Sequence, residues 1–151
     1  MNIKTLGALA AVALLAACSA QTGATNPAPE AKGIVPGSQE DLVANVGDRV
    51  FYDTNKSSLR TDAKAQLDKQ AAWLAKYGSV NVQVAGDCDE RGTVEYNLAL
   101  GDRRAHAASN YLKAKGVAAA RMTTISYGKS KATGHDETTW AQDRNAILSV
   151  R

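Results

Sequence analysis

The segment that decides the fold reads Val80-Asn81-Val82-Gln83-Val84-Ala85-Gly86-Asp87-Cys88-Asp89-Glu90-Arg91-Gly92. Its first part, residues 80–84, alternates apolar and polar side chains, which predicts a β-strand with one buried face. Its second part, residues 86–92, is a polar loop with three carboxylates within four residues. Thr93 follows and is a typical N-cap, so a helix is expected to begin after it. Sites in α/β folds collect where a strand ends and a helix begins, so this segment also predicts a site.

Strand and helix patterns alternate on both sides of this segment. Apolar residues recur at helical spacing through 59–74, with the N-cap of that helix predicted at Ser58 or Thr61. The apolar stripe of the next long helix is predicted at Leu98, Ala105, Ala108 and Leu112. The predicted strands are 49–52, 80–84, 121–127 and 145–150, and the predicted helices are 39–43, 59–74, 94–115 and 137–143. This order predicts an α/β fold, a two-layer sandwich with helices packed on a sheet of about four strands.

Composition excludes several classes of protein. The chain has 151 residues, of which 44% are hydrophobic, which suits one domain and excludes a fully disordered protein. The long apolar run, residues 6–15, is too short to span a bilayer, so a polytopic membrane protein is excluded. Two cysteines cannot form a disulfide scaffold. From Arg49 onward the chain has 16 basic and 11 acidic residues, and this excess of +5 suits an anionic partner such as cell-wall polymer but is too small and scattered for nucleic acid.

The first 38 residues read as an export signal and a tether. Residues 1–17 have a basic end, an apolar stretch and small residues, which predicts a signal peptide. The run Leu15-Ala16-Ala17-Cys18 resembles the lipobox of bacterial lipoproteins, which implies a lipidated Cys18; the alternative is an ordinary signal peptide and an unmodified thiol. Ser19 in place of Asp favours the outer membrane by the same resemblance. Residues 18–38 hold all three prolines and predict a flexible tether before the domain at 39–151.

The loop and the helix after it predict a charged slot. Asn97, Gly101 and Arg104 follow a spacing of four and then three, so they share one helix face. Asp89 could take an ammonium and Arg104 a carboxylate, so the slot would suit a zwitterion. In the alternative interpretation Asp89 and Arg104 pair with each other. Gly101 either leaves space for a ligand or allows close packing of the helix on the sheet.

Three segments carry a family resemblance: 50–55 (Val-Phe-Tyr-Asp-Thr-Asn), 86–93 (Gly-Asp-Cys-Asp-Glu-Arg-Gly-Thr) and 95–105 (Glu-Tyr-Asn-Leu-Ala-Leu-Gly-Asp-Arg-Arg-Ala). In this order they resemble the OmpA-like peptidoglycan-binding domain, and 126–129 with 134–137 look like its lipoprotein branch. The resemblance covers nearly all of residues 38–151. It implies a mixed sheet, no enzymatic activity and no cofactor.

The resemblance also implies a ligand, partners and site residues. The ligand would be the diaminopimelate of the peptidoglycan stem peptide, whose far end is a zwitterion. The lipoprotein would join the outer membrane to peptidoglycan, with a periplasmic TolB-type partner, in a system for envelope integrity and cell division. The implied contacts are Asp89 and Arg104 as the charged pair, Tyr52 and Asp53 along the cleft, and Thr93, Asn97 and Leu100 around it.

Departures from the family pattern leave alternatives. Asp87 stands where the family usually has His, and it would either tighten ammonium capture or raise the pKa of one carboxylate. Cys88 with His106 or His135 as base would make a cell-wall cysteine hydrolase, but flanking carboxylates raise a thiol pKa, against that role. The remaining alternative is a structural lipoprotein that does not bind the wall. The histidines have no partner at metal-ligand spacing, so no metal site is predicted.

Overall fold

The computed structural model describes residues 33–151. The predicted signal peptide 1–17, the lipid attachment at Cys18 and most of the tether 18–38 lie outside the described residues. The last residues of the predicted tether form a turn, in which the Ser38 N–H donates to the Val35 carbonyl. Ser38 then accepts a hydrogen bond from the Asp41 N–H and caps the first helix, as predicted.

Four strands form one mixed sheet in the order β1-β4-β2-β3. The strands are β1 (Arg49–Phe51), β2 (Val82–Asp87), β3 (Met122–Gly128) and β4 (Asn145–Val150). β2 runs parallel to β3 and antiparallel to β4, and β1 runs antiparallel to β4. The predicted number of strands and the mixed sheet are confirmed. β2 ends at Asp87, so the strand continues one residue beyond Gly86, where the polar loop was predicted to begin.

Four α-helices complete the described fold: α1 (Gln39–Asn45), α2 (Thr61–Lys76), α3 (Val94–Ala114) and α4 (Glu137–Asp143). Thr93 caps α3 by accepting from the Tyr96 N–H, as predicted. The predicted N-cap of α2 is wrong, because Arg60 holds the extended backbone of the cap position and Thr61 is already helical. Arg60 makes no cap hydrogen bond with its side chain, which binds Asp62 instead.

The core lies between the helices and one face of the sheet. Leu67 and Leu74 of α2 and Leu112 of α3 are at most 1% exposed, and they pack with Val84 and Leu148 of the sheet. Leu98, which the predicted stripe of α3 includes, is 43% exposed, whereas the other three stripe residues are buried. Near its N-terminal end, α3 instead buries Asn97, Leu100, Gly101 and Arg104.

Two glycines let α3 approach β2 closely. A Cβ on Gly86 would lie 1.8 Å from the Gly101 carbonyl oxygen, and a Cβ on Gly101 would lie 2.7 Å from the Gly86 carbonyl oxygen. No real side chain fits at either distance. Gly101 therefore serves close packing of the helix on the sheet, and the alternative in which it leaves space for a ligand is wrong. This contact fixes the start of α3 against the end of β2, where the predicted site lies.

We expect Gly86→Ala to destabilise the domain by about 3 kcal/mol, because the added methyl group meets backbone that cannot move aside. Urea unfolding followed by circular dichroism measures the change. Gly78→Ala is the matched control, since a Cβ there meets nothing within 4 Å. Equal stability of the two variants would show that α3 does not depend on this close approach.

Asp41 of α1 accepts three hydrogen bonds, and the buried one, from Trp73, joins the first helix to α2. Its carboxylate accepts from the Gly37 N–H at 2.8 Å, the Asn45 amide at 2.7 Å and the Trp73 indole N–H at 3.0 Å. These bonds lower the pKa of Asp41 to about 2, and the bond from Gly37 has the largest effect on it. The carboxylate therefore stabilises the fold above the ordinary aspartate pKa of 3.8, and that contribution is lost as the pH falls towards 2.

Asp41→Asn is expected to lower the melting temperature at neutral pH, because an amide cannot accept all three hydrogen bonds. The difference from the unmodified chain should shrink as the pH falls from 3.8 towards 2. Thermal unfolding over that range measures it, with Asp102→Asn, an exposed carboxylate on α3, as control. A difference that stays constant with pH would contradict the proposed role of the ionised carboxylate.

Candidate functional site

Asp89 lies in the loop after β2 and is held by two arginines. Arg91 makes a forked contact with both carboxylate oxygens, at 3.1 Å and 2.7 Å, and its backbone N–H donates to the same carboxylate at 3.1 Å. Arg144 donates from Nη1 at 3.4 Å. The Arg144 side chain is only 8% exposed, whereas that of Arg91 is 38% exposed. Arg144 is therefore held within the fold, whereas Arg91 lies at the surface.

Burial and hydrogen bonding act in opposite directions on Asp89. Burial alone would raise the pKa of Asp89, but the hydrogen bonds from Arg91 and Arg144 outweigh it and hold that pKa below the usual range. The carboxylate is therefore ionised at neutral pH and able to attract a cation.

Arg104 is the most deeply buried charged side chain of the site, with 0% exposure. Its guanidinium donates to three backbone carbonyls, from Nε to Lys56 at 2.9 Å, from Nη1 to Asp87 at 2.8 Å and from Nη2 to Asp53 at 3.1 Å. A guanidinium has five N–H donors, so one on each Nη atom remains after these bonds. No salt bridge between Arg104 and Asp89 occurs among residues 33–151, so the predicted alternative in which they pair is wrong.

Four of the predicted contacts meet around one cavity. Asp89, Asn97, Leu100 and Arg104 line it together with Asn55, Cys88 and Arg91. Its volume of about 10 Å³ is room for a single water molecule. A groove of about 240 Å³ shares Asn55, Asp89 and Arg91 with the cavity. Arg91 and its partner Asp89 therefore line both the small cavity and the open groove, whereas, of the two, Arg104 lines only the cavity.

Asn97 and Leu100 shape this cavity from the first turns of α3. Asn97, 2% exposed, donates from its amide to the Arg91 carbonyl at 2.7 Å and to the Thr93 carbonyl at 2.9 Å. These bonds fix the loop that carries Asp89 to the start of the helix. Leu100, 3% exposed, gives an apolar wall.

The other three predicted contacts support the site from outside the cavity. Tyr52 is 1% exposed and donates from its hydroxyl to the Arg104 carbonyl at 2.8 Å, and burial raises its pKa. The Asp53 side chain pairs with Arg60 at the surface, while its carbonyl accepts from Arg104. Thr93 is the N-cap of α3.

The site predicted from the sequence does not include Arg91 and Arg144, the two arginines that hold Asp89. Arg91 stacks over the Trp140 ring at 4.1 Å, and Arg144 donates to the Tyr52 carbonyl at 3.2 Å and to Glu137 at 2.8 Å. The signal for Arg91 was its position two residues after Asp89. The signal for Arg144 lay in the family resemblance, in which two arginines often stand at the entry of the last strand; only Arg144 is present here, with Asn145 in place of the second.

Asp87 and Cys88, which precede Asp89 in the sequence, are both buried, and the predicted rise of the Cys88 thiol pKa beside the two carboxylates is confirmed in direction. Asp87 lines a different cavity from Asp89, and its pKa is raised, first of all by burial. Cys88 is 1% exposed and its thiol donates to the Asn97 carbonyl at 3.4 Å. Burial also raises the pKa of this thiol, which disfavours the thiolate that a nucleophile needs.

The histidines lie elsewhere. His106 contacts Asp102, and His135 contacts Glu90. Within residues 33–151, no group of three or more His, Cys, Asp or Glu side chains is placed to hold a metal ion. The helices of that same region are all too short or too polar to cross a membrane.

Comparison with known proteins identifies the family. The model of the OmpA family matches residues 51–146. The peptidoglycan-associated lipoprotein of Rhizobium meliloti (strain 1021) is 49% identical over 146 residues, which cover 93% of this chain and 83% of that protein. The protein of the same name from Agrobacterium fabrum is 48% identical over 140 residues, covering 88% of this chain and 79% of its relative.

Solved structures agree with the sequence comparison. The crystal structure of the peptidoglycan-associated lipoprotein from Burkholderia pseudomallei superposes with a TM-score of 0.66 at 40% identity, over 69% of this chain and 90% of that one. The C-terminal domain of Helicobacter pylori MotB shares the fold at a TM-score of 0.64 and 17% identity, over 69% of this chain and 84% of that one. The chain therefore belongs to the OmpA family, in its branch of peptidoglycan-associated lipoproteins.

Proposed function

We propose that this protein is a non-enzymatic lipoprotein that anchors the outer membrane to peptidoglycan by binding the diaminopimelate of the stem peptide. One observation carries the proposal: Asp89 and Arg104 line the same cavity and are not paired with each other. Two buried charges of opposite sign that do not neutralise each other suit a ligand that carries both charges. The far end of diaminopimelate has an ammonium and a carboxylate on one carbon.

The ligand ammonium binds Asp89 in this proposal, and the ligand carboxylate takes the two remaining N–H donors of Arg104. The closed cavity is too small for this group. Arg91 must therefore leave Asp89 so that the cavity and the groove of about 240 Å³ become one cleft. Its exposed side chain can do so, while Arg144 stays in place beside the carboxylate.

The state of the thiol supports a binding role and not a hydrolytic one. A cysteine hydrolase needs a nearby base, but the ring nitrogens of His106 and His135 that form contacts face Asp102 and Glu90. The Cys88 thiol is buried, with a raised pKa. Alkylation of such a thiol is expected to be slow, and binding to the wall does not depend on it.

A TolB-type periplasmic partner, in a Tol-Pal system that maintains envelope integrity and cell division, docks beside the cleft in this proposal. An open groove of about 710 Å³ there is lined by Val94 and Leu98 of α3 and by Tyr127 of β3. Val94 and Leu98 are 55% and 43% exposed, which is typical of apolar side chains that a partner covers. Glu90 lines this groove and follows Asp89 directly, so partner and wall would compete for space.

Asp89→Asn is expected to lower retention on purified peptidoglycan sacculi about tenfold or more, because the amide keeps the shape of the side chain but cannot pair with an ammonium. Co-sedimentation of the full-length protein in detergent measures the retained fraction. The ion pair needs an ionised Asp89, whose pKa lies below the ordinary value of 3.8. Retention should therefore hold from neutral pH down to 3.8 and fall only below it.

Glu90→Gln is the control for this measurement, since it removes the adjacent carboxylate, whose contacts are with Trp140 and His135. Circular dichroism checks that both variants are folded. Equal retention of Asp89→Asn and the unmodified protein would favour the structural lipoprotein that does not bind the wall through this cleft.

The membrane anchor is tested at the mature N-terminus. We expect mass spectrometry of the protein extracted from membranes to find Cys18 as the first residue, carrying acyl chains. More than one chain is needed for stable attachment, since each buried methylene contributes only about 0.8 kcal/mol. An unmodified Cys18 thiol would contradict the lipoprotein part of the proposal.

A further inference from the structure

The strand β3 forms an open edge of the sheet. The order β1-β4-β2-β3 gives β3 a neighbour on one side, where it pairs with β2. Within residues 33–151, the backbone of residues 123–126 has no hydrogen bond beyond this ladder. Alternate N–H and C=O groups of an edge strand point away from the sheet, so this row of donors and acceptors can pair with another strand.

The two edges of the sheet differ in length and charge. The other edge strand, β1, has three residues and carries the exposed Arg49. By contrast, β3 has seven residues, Met-Thr-Thr-Ile-Ser-Tyr-Gly, with no charged side chain and no proline. Short strands, charges and prolines are usual features that keep an exposed edge from pairing with other chains. Since β3 has none of these three features, its edge suits pairing with a further strand.

An open groove of about 710 Å³ is lined by both β3 and α3, through Ser126 and Tyr127 of the strand and Val94 and Leu98 of the helix. The Ser126 hydroxyl donates to the Leu98 carbonyl at 2.7 Å, so this side chain of β3 faces α3. Successive side chains of an added strand would point alternately towards α3 and away from it. Those on the α3 side would cover Val94 and Leu98, which are 55% and 43% exposed.

The charges near β3 favour an acidic partner. Residues 103–135 include seven Lys or Arg and no Asp or Glu. Arg121 comes directly before β3 and Lys129 directly after it, so both ends of the edge carry positive charge. Glu90, the acidic residue of the groove, has its carboxylate oxygens bonded to two other side chains. A strand with carboxylates at both ends therefore complements this edge.

The same charges argue against a second copy of this chain as the partner. Two copies paired antiparallel along the full length of β3 would be centred on Ile125. Arg121 of each copy would then lie opposite Lys129 of the other, at both ends of the pair. Like charges directly opposite each other destabilise a pair of strands.

We propose that β3 binds an extended acidic segment of a partner protein, which adds a fifth strand to the sheet. This inference rests on the proposed function for the presence of a partner in the groove, and it names the form in which that partner binds. Backbone hydrogen bonds to residues 123–126 would supply affinity, while the apolar wall and the basic ends would supply specificity. An anionic lipid surface would match the basic residues but has no row of amides for the open backbone.

Three synthetic peptides test strand addition to the full-length protein in detergent. The first alternates valine and threonine with aspartates at both ends, the second has lysines in place of the aspartates, and the third is the acidic peptide with its backbone nitrogens methylated. Only the first should bind, since the second has the wrong charge and the third cannot donate backbone hydrogen bonds. Amide hydrogen exchange followed by NMR should show alternate amides of residues 123–126 protected about tenfold or more.

Substitutions in β3 and α3 test the same contact. Thr123→Glu should weaken binding of the acidic peptide about tenfold, because it places a carboxylate on the exposed strand, whereas Thr123→Lys should not weaken it. Leu98→Ser should weaken binding severalfold, since it removes part of the apolar wall. Val43→Ser is the matched control, because that side chain is 51% exposed but lies on α1.

Equal binding of the methylated peptide, protection confined to amides outside β3, or no binding at millimolar acidic peptide would each overturn the proposal. Binding of phosphatidylglycerol vesicles in preference to the acidic peptide would overturn it too and assign the basic residues to a lipid surface. Retention on sacculi separates this inference from wall binding. Asp89→Asn should lose the sacculi and keep the peptide, and Thr123→Glu should do the reverse.

Discussion

The buried guanidinium of Arg104 holds together the parts of the chain that build the cleft. A charge with no exposed surface is costly unless hydrogen bonds satisfy it, and here three backbone carbonyls do so. Two of these carbonyls belong to the loop between β1 and α2, at Asp53 and Lys56, and the third belongs to Asp87 at the end of β2. Arg104 thereby fixes that loop and the end of the strand to α3, and the position of Asp89 follows.

The glycine contact between Gly86 and Gly101 makes this arrangement possible. Because no side chain separates β2 from α3 there, Arg104, three residues further along the helix, can reach the carbonyl at the strand end. The same close approach leaves little space around the charges, so the cavity between them is small. A packing constraint and the proposed binding site therefore share the same few residues, and Arg91 is the partner of Asp89 that lies at the surface.

The periodicity of the sequence predicts most of the fold, and the reasons for the exceptions are physical. The alternation at 80–84 and the cap at Thr93 predict the strand and the start of the helix because both signals are local, although the strand itself is Val82–Asp87. The N-cap of α2 falls on Arg60, since backbone geometry and not side-chain type decides which residue caps. The surroundings of Asp87 were not predictable either, because β2 continues to this residue and only the fold decides which cavity its side chain lines.

The site was predictable in its residue types and not in its ion pairs. Spacing places Asn97 and Arg104 on one face, but it cannot decide which of several arginines meets Asp89.

Calorimetry with two stem peptides tests the central claim, that Asp89 and Arg104 together recognise a zwitterion. One peptide ends in diaminopimelate and the other in lysine, which has the ammonium but lacks the second carboxylate. The lysine peptide should bind at least about tenfold more weakly than the diaminopimelate peptide. Equal affinity for the two peptides would contradict the claim.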